Sequence, residues 1–336
     1  RLVRDLIMAV LGAAAGGGGG AISNLPIIFS ESSTWACPVA MEAYVFVIGA
    51  GGSAAEGRRS STSTAGTHQG AGAGGCAVSK LTLAAQNYTV TIGAGGASGG
   101  GLSADSSNAG NAGGASSFAG TGITTMTGNG GAGGAADNSS NGAISSAAAG
   151  GTATGGTLMN NTGGSGLAIT DNSNPGLGSG GAVGLWGAGQ DGQIYVGVGQ
   201  LVLEGGNIQG RSGDPLNETS PKGLTNPWTS YILGLVGAST MYSYNSYAGT
   251  REFFPAGAPS LSTYGDNNNQ YYQSSLMITH PTGPLGGGTA LRFFNTARSG
   301  GATLGGGGGA TIGNANHVYP GEGGGGGIII LPISIG

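Results

Sequence analysis

The stretch that most resembles a ligand-binding motif is a glycine pattern that follows a run of apolar residues. Tyr44–Gly52 reads YVFVIGAGG, and Gly49, Gly51 and Ala54 stand in the order G-x-G-x-x-A. That order binds dinucleotides only where a helix follows and directs its N-terminus at the pyrophosphate. The residues that follow, AEGRRSSTSTAGTHQGAGAGG, have no apolar face. The pattern therefore predicts no nucleotide site, and no cofactor is expected.

The residues that most often perform catalysis or bind metals are few and scattered. His68, His280 and His317 are far apart in the sequence and lack neighbouring carboxylates, which argues against a metal site or a catalytic triad. Cys37 and Cys76 are the two cysteines; they could pair, but each is better explained as a small buried hydrophobe. We therefore expect no catalytic residues, no metal and no enzymatic activity.

A tyrosine-rich stretch offers a different chemistry, that of recognition. Seven of the eleven tyrosines lie between Tyr231 and Tyr272, together with the polar run DNNNQ at Asp266–Gln270. Tyrosine, serine, asparagine and glycine are the residues of adaptable binding loops. The candidate receptor-binding residues are Tyr242, Tyr244, Tyr247, Tyr264, Tyr271 and Tyr272. The alternative is that these rings form a core, which the glycine tracts cannot supply.

The elements that would position such a surface are short strands separated by glycine tracts. The apolar run Tyr44–Ile48 recurs as YTVTIGAGG at Tyr88–Gly96, and the chain closes with GGGGGIIILPI at Gly323–Ile333. We expect Tyr44–Ile48 and Ile328–Ile333 to pair in one sheet, because each would otherwise leave an open edge. Ala77–Ile92 alternates as a hairpin that turns near Ala84–Asn87, and Gln193–Gly206 reads as a second pair of strands.

Glycine dominates the intervening tracts. It accounts for 78 of 336 residues, whereas charged residues make up 7% and the net charge is −4. The charged residues are few and include no basic run, which argues against nucleic-acid binding. No apolar stretch reaches the roughly 18 residues of a membrane span. Gly93–Gly189 is too long for an ordinary loop and is interrupted by regular apolar residues. Polyglycine II helices, extended and hydrogen-bonded only to neighbours, are the ordered structure that such a tract predicts.

Composition divides the chain into four parts. Residues 1–32 begin with an arm in which Leu2, Leu6 and Val10 have helical spacing, and this arm is either an attachment segment or a plain structural helix. Residues 33–206 form a glycine-rich domain, 207–299 a Tyr/Asn-rich insertion, and 300–336 a glycine-rich return with the closing strand.

The order of these motifs resembles a known family. WACPVAMEAYVFVIGAGGSA, LAAQNYTVTIGAGG, GGASSFAG and GEGGGGGIIILPI are similar to the glycine-rich domain of bacteriophage tail-fibre and related virion proteins. A more distant likeness is to the glycine-rich ectodomain of anaplastic lymphoma kinase. The resemblance implies a mainly β fold, in which a jelly-roll-like framework holds a polyglycine II bundle, and display on a virion for host binding.

These observations predict a virion structural protein, a tail-fibre or tail-tip adhesin that contacts the host surface. Its expected partners are other virion proteins, through the N-terminal arm, and a host cell-surface glycan or protein; a homo-oligomer is also expected. The alternative is a self-assembling capsid-surface or extracellular filament protein without a receptor role.

Overall fold

The fold is known from a computed structural model. The described residues are 26–58, 67–99, 106–137, 144, 146–167, 180–181, 183–184, 188–189, 191–197, 200–204, 241–244, 251–254, 261–264, 291–293, 297–298, 304–308, 311–313, 318–319 and 321–335. The N-terminal arm, Arg1–Ala15, lies outside them.

Every regular element in these ranges is a β-strand, which confirms the prediction of a mainly β fold. The strands are β1 (Ile27–Phe29), β2 (Ser33–Ala36), β3 (Met41–Ile48), β4 (Glu56–Arg58), β5 (Thr67–His68), β6 (Cys76–Leu83), β7 (Asn87–Thr91), β8 (Ser106–Asn108), β9 (Ser116–Ala119), β10 (Met126–Gly128), β11 (Ala136–Asp137), β12 (Ala153–Thr154), β13 (Met159–Asn161), β14 (Gln193–Gly197), β15 (Gln200–Glu204), β16 (Met241–Tyr244), β17 (Arg251–Phe254), β18 (Leu261–Tyr264), β19 (Leu291–Phe293), β20 (Ala297–Arg298), β21 (Thr311–Gly313), β22 (Val318–Tyr319) and β23 (Gly327–Ile335).

Two five-stranded antiparallel sheets pack face to face as a sandwich. The first sheet has the order β1-β23-β3-β6-β13, and the second has the order β12-β10-β9-β7-β2. The predicted pairing of the opening and closing strands is confirmed, since Val47 lies opposite Ile328 and Val45 opposite Ile330. The sandwich thus joins the two ends of the glycine-rich region.

Aromatic rings from the second sheet fill the core of the sandwich. Trp35, Tyr88 and Phe118 are buried against aliphatic residues of the first sheet, among them Val45 and Ile330. The rings of Tyr88 and Phe118 stack with centroids 5.1 Å apart. Phe118 and Met126 are two of the apolar residues that interrupt the glycine tract; Phe118 lies in β9 and Met126 in β10. These two interruptions therefore belong to strands of the sandwich.

The predicted hairpin over Ala77–Ile92 is wrong. Its two strands exist as β6 and β7, but β6 belongs to the first sheet and β7 to the second. One edge of β6 pairs with β3 along its whole length, the other pairs with β13 at Cys76–Val78, and β7 pairs with β2 and β9 instead of β6. Residues 84–86 therefore cross from one sheet to the other, and Tyr88 and Val90 face the core from the opposite side. Alternating residues define a strand but not its partner. The second predicted pair is confirmed as the antiparallel hairpin β14–β15.

Glycine-rich segments continue the strands beyond the sandwich. We number them PG1 to PG10 in chain order: 49–55, 69–75, 93–99, 109–115, 129–135, 147–152, 162–167, 180–181, 304–308 and 321–326. PG1 continues β3, PG3 continues β7, and PG5 continues β10, while PG2, PG4 and PG10 lead into β6, β9 and β23. One end of the bundle is thus fixed by strands that already lie side by side.

The backbone of PG1 shows how these segments pack. Gly49, Gly52 and Ala55 donate to PG2, Ala50 and Ser53 donate to PG4, and Gly51 and Ala54 donate to PG10. Carbonyl groups of PG1 accept from PG3, PG5 and PG9. PG2, PG4, PG10 and PG5 each recur as partners after three residues, which is the period of polyglycine II. PG1 therefore lies at the centre of six neighbours.

The same hydrogen bonds arrange the ten segments in three rows. PG4, PG5 and PG6 form one outer row, PG3, PG1, PG2 and PG7 the middle row, and PG10, PG9 and PG8 the other outer row. PG2 donates to PG5, PG7 and PG9 and accepts from PG1, PG6 and PG8, so it also has six neighbours. The bundle therefore has the interstrand lattice predicted for polyglycine II.

Close backbone approach makes glycine necessary at particular lattice positions. A Cβ built on Gly51 would overlap the carbonyl oxygen of Gly306, which belongs to the neighbouring backbone and cannot move aside. A Cβ on the exposed Gly325 would have its nearest neighbour, the carbonyl oxygen of Gly93, at 4.0 Å. The two positions differ in crowding although both lie in threefold segments.

We predict that Gly51→Ala destabilises the protein and Gly325→Ala does not. The first change forces neighbouring backbones apart, which should lower the free energy of unfolding by about 1–3 kcal/mol or more. The second should leave stability within about 1 kcal/mol of the parent, on the stabilising side, because alanine restricts the unfolded chain. Chemical denaturation of both variants checks this. Equal destabilisation by the two substitutions would contradict the lattice.

Candidate recognition surface

The end of the bundle opposite the sandwich, here called the distal end, is formed by a second group of strands. β4 follows PG1 and β11 follows PG5, while β5 precedes PG2 and β8 precedes PG4. They join a four-stranded sheet of order β19-β21-β4-β8 and a two-stranded sheet β11-β5. The glycine segments are thus held by β-strands at both ends.

The chain lies at the distal end both at Gly192, before the β14–β15 hairpin that precedes the tyrosine-rich insertion, and at β19, near the end of the insertion. Gly189 donates to Thr162 and Gly192 donates to Ser165, so this stretch runs beside PG7 away from the sandwich before β14 begins. On the return, β19 pairs in parallel with β21, which pairs in parallel with β4. The ends of the described chain, Ile27 in β1 and Ile335 in β23, lie instead in the sandwich.

Buried polar side chains fix the distal half of the bundle. Ser53, at the centre of the lattice, donates from Oγ to Ala97 O at 2.8 Å and accepts from Asn111 N at 2.8 Å. Gln69 donates from Nε2 to Ser146 O at 2.6 Å and accepts from Ala135 N at 3.1 Å. Each side chain links its own segment to two others. Sequence reasoning missed both residues, because single polar residues within a Gly/Ala/Ser tract give no local signal.

His68 and Glu56 are also buried at the distal end. The imidazole of His68 packs where a Cβ of Gly57 would lie. Glu56, the neighbour of Gly57, accepts a hydrogen bond from Asn108 Nδ2 at 3.3 Å, and Asp137 lies on the strand that pairs with β5. The strands β4 and β11, which carry these two carboxylates, therefore lie beside His68 in the fold. Among the described residues, no group of three or more His, Cys, Asp or Glu could hold a metal ion.

The predicted tyrosines are only partly described. Tyr242 and Tyr244 lie on β16, opposite Phe253 and Arg251 of β17. Tyr264 lies on β18, opposite Leu201 of β15, in a different sheet. Tyr247, Tyr271 and Tyr272 lie outside the described residues. Their role in binding stays a prediction.

The glycine pattern at Gly49, Gly51 and Ala54 is part of the lattice. Each backbone N–H from Gly49 to Ala55 donates to a carbonyl oxygen of PG2, PG4 or PG10, at 2.8–3.0 Å. A pyrophosphate needs such N–H groups for itself. The glycines at this position therefore serve close backbone packing.

The two cysteines are free thiols on opposite faces of the first sheet. Cys37 packs in the core of the sandwich, and Cys76 packs on the outer face with Phe46, Val78 and Ile329. Burial raises the pKa of the Cys76 thiol to about 12. Burial also raises the pKa of Cys37, while its hydrogen bond to the Val39 carbonyl opposes the shift. Both residues are the small buried hydrophobes that composition indicated.

A family model described as a glycine-rich domain matches residues 28–332. No curated protein matches the chain. In the ranges that the structure describes, no helix has the length and apolar character needed to cross a membrane.

We predict that neither thiol reacts with an alkylating reagent near pH 8 in the folded protein, and that both react in denaturant. The ordinary thiol pKa is 9.0, and the folded Cys76 value is about 12. The unfolded state therefore loses its proton first, so this contribution to stability is present below pH 9 and declines as pH rises from 9 towards 12. Mass spectrometry after timed alkylation measures the labelling. Rapid labelling of Cys76 without unfolding would contradict its burial.

Proposed function

Because the chain belongs to the glycine-rich domain family, we propose that it is a non-enzymatic virion structural protein of a bacteriophage, a tail-fibre or tail-tip adhesin. The observation that carries this proposal is the separation of the two ends of the bundle. The chain is at the distal end at Gly192, before the hairpin that precedes the insertion, and again at β19, near the end of the insertion, whereas Ile27 and Ile335 lie in the sandwich. A protein that is attached at one end and binds at the other needs a stiff connection of this kind.

The lattice suits this spacing role because its segments are cross-linked along their length. PG1 and PG2 each bond to six neighbours through the backbone. Extended threefold segments rise about 3.1 Å per residue, so few residues span a large distance. Loops displayed on a rigid scaffold lose less entropy when they bind a partner.

The tyrosine-rich insertion is proposed as the part that contacts the host. The sandwich core already has its own aromatic residues, Trp35, Tyr88 and Phe118, from outside the insertion. The insertion tyrosines are therefore not needed to fill that core, which favours their use in binding. Aromatic faces beside asparagine side chains suit carbohydrate, whose C–H faces stack on rings while its hydroxyls need polar partners. A host cell-surface glycan is the proposed ligand class, with a host protein as the alternative.

We predict that the double variant Tyr271→Ala, Tyr272→Ala folds normally but loses adsorption to host cells. Truncation of aromatic anchors in an interface costs about 2 kcal/mol or more each, which is roughly a 30-fold loss of affinity per residue. Adsorption is measured per folded molecule, together with the melting temperature. Tyr44→Ala is the matched control, because Tyr44 is exposed on the sandwich, away from the distal end.

Two outcomes would contradict this assignment. If the double variant lowers the melting temperature and leaves adsorption per folded molecule unchanged, the rings belong to a core. If imaging of native particles shows the protein in a helical or icosahedral array, the self-assembling capsid-surface or filament role replaces that of an adhesin.

The N-terminal arm is proposed to attach the protein to other virion components. The spacing of its apolar residues predicts an amphipathic helix in Arg1–Ala15; a helix this short is marginal in water by itself, so a partner surface would stabilise it. We predict that deletion of residues 1–15 prevents incorporation into particles while the glycine-rich domain still folds. Incorporation of the truncated protein at normal levels would show that the arm is not an anchor.

A further inference from the structure

The outer row PG4-PG5-PG6 of the lattice contains unfilled hydrogen-bonding positions. In PG5, Asn129 and Ala132 donate to PG6, whereas Gly131 and Gly134 donate to PG1. Gly130 and Gly133 make up the third set of the threefold repeat. Both are half-buried, and their N–H and C=O groups form no hydrogen bond with the residues that the structure describes.

The neighbouring segment PG4 supplies complementary groups. The carbonyl oxygens of Gly110 and Gly113 accept no hydrogen bond from the described residues. They border PG5, because a Cβ on Gly130 would overlap Gly113 O and a Cβ on Gly133 would overlap Gly110 O. The groove between PG4 and PG5 therefore presents two N–H groups along one side and two C=O groups along the other. Each pair is separated by three residues, or about 9 Å along a threefold segment.

The centre of the bundle shows what fits such a groove. Where PG1 lies between PG2, PG4 and PG5, it accepts from Gly131 and Gly134 of PG5 and donates to Gly114 and Asn111 of PG4. The outer groove offers the same kinds of group, from the same two segments, with the same spacing. A row of unpaired backbone groups at the edge of an ordered array is a template for pairing with another chain, as it is at the edge of a β-sheet.

We propose that the groove between PG4 and PG5 is an interface between copies of this chain, in which a glycine-rich segment of a second copy occupies the next lattice position. The occupant needs a bare backbone with a threefold repeat, and this chain is rich in such segments, with glycine at 78 of 336 positions. The second copy accepts hydrogen bonds from Gly130 and Gly133 and donates to Gly110 and Gly113. This surface is distinct from the tyrosine-rich insertion, so the inference does not depend on the proposed receptor role.

Amide hydrogen exchange on the full chain at low and high protein concentration tests the interface at single residues. In dilute protein, Gly130 and Gly133 should exchange fast, while their neighbours Gly131 and Gly134, which donate to Ala50 and Ser53, exchange slowly. At concentrations where the protein associates, Gly130 and Gly133 should become slow as well. The neighbouring amides serve as an internal control for folding.

A pair of matched variants tests the same groove through the mass of the associated protein. Ala112 is an exposed residue of PG4, and Ala85 is an exposed residue of the sandwich between β6 and β7. We expect Ala112→Glu to abolish association in sedimentation, because a charged side chain blocks the groove, and Ala85→Glu to associate like the parent. Circular dichroism and melting temperature establish that both are folded.

Three results would overturn the proposal. The parent protein could remain monomeric at its highest soluble concentration. Gly130 and Gly133 could stay fast in exchange when association is complete, which would place the interface elsewhere. A folded Ala112→Glu variant could associate as strongly as Ala85→Glu.

Discussion

Hydrogen bonding between backbones that lack side chains is the constraint on which this structure depends. A threefold extended segment makes no internal hydrogen bonds, so each buried N–H and C=O must find its partner on a neighbouring segment. PG1 and PG2 meet this requirement by donating in three directions and accepting from three others. The spacing that permits these bonds leaves no room for a Cβ at positions such as Gly51, where the neighbouring carbonyl oxygen of Gly306 occupies the space. Glycine content and lattice geometry are thus two aspects of one requirement.

Such a lattice is not stable by itself. Ordering the backbone costs about 1–2 kcal/mol per residue, and more for glycine, whereas a hydrogen bond contributes about 0.5–1.5 kcal/mol net. The hydrogen bonds therefore do not offset the whole cost of ordering the backbone, and the small side chains bury little apolar surface. The sandwich supplies what is missing, since Trp35, Tyr88 and Phe118 are buried against valine and isoleucine of the opposite sheet. It also sets the spacing of the segments, because PG1, PG2 and PG10 continue the neighbouring strands β3, β6 and β23.

Because the sandwich and the lattice form the scaffold, the inserted segment can change while the scaffold stays constant. The chain leaves the lattice at the distal end and returns there, so a long insertion can be accommodated without changing the register of the segments. Buried polar residues, Ser53 and Gln69, add specific links between segments where the backbone pattern alone is uniform. A cross-linked glycine bundle with a tyrosine-rich insertion whose flanking strands lie at its distal end is consistent with the proposed separation of attachment from recognition.

The sequence by itself determined the opening and closing strands and the threefold packing of the glycine tracts, but not the short strands β8 to β13 inside Gly93–Gly189. The apolar run of β3 and the isoleucines of β23 predicted their own pairing, because both are long, β-branched and next to glycine. The glycine tracts predicted threefold packing, because little else can order so much bare backbone. The tertiary structure decided which elements are neighbours. Alternation at Ala77–Ile92 fits either a hairpin or a crossing between sheets. The chain crosses, because β7 pairs with β2 and β9 and places Tyr88 and Val90 in the core of the sandwich. The arrangement of the ten segments in three rows could not be predicted either. The glycine backbone is the same at every position and has no side chain that would select a particular neighbour.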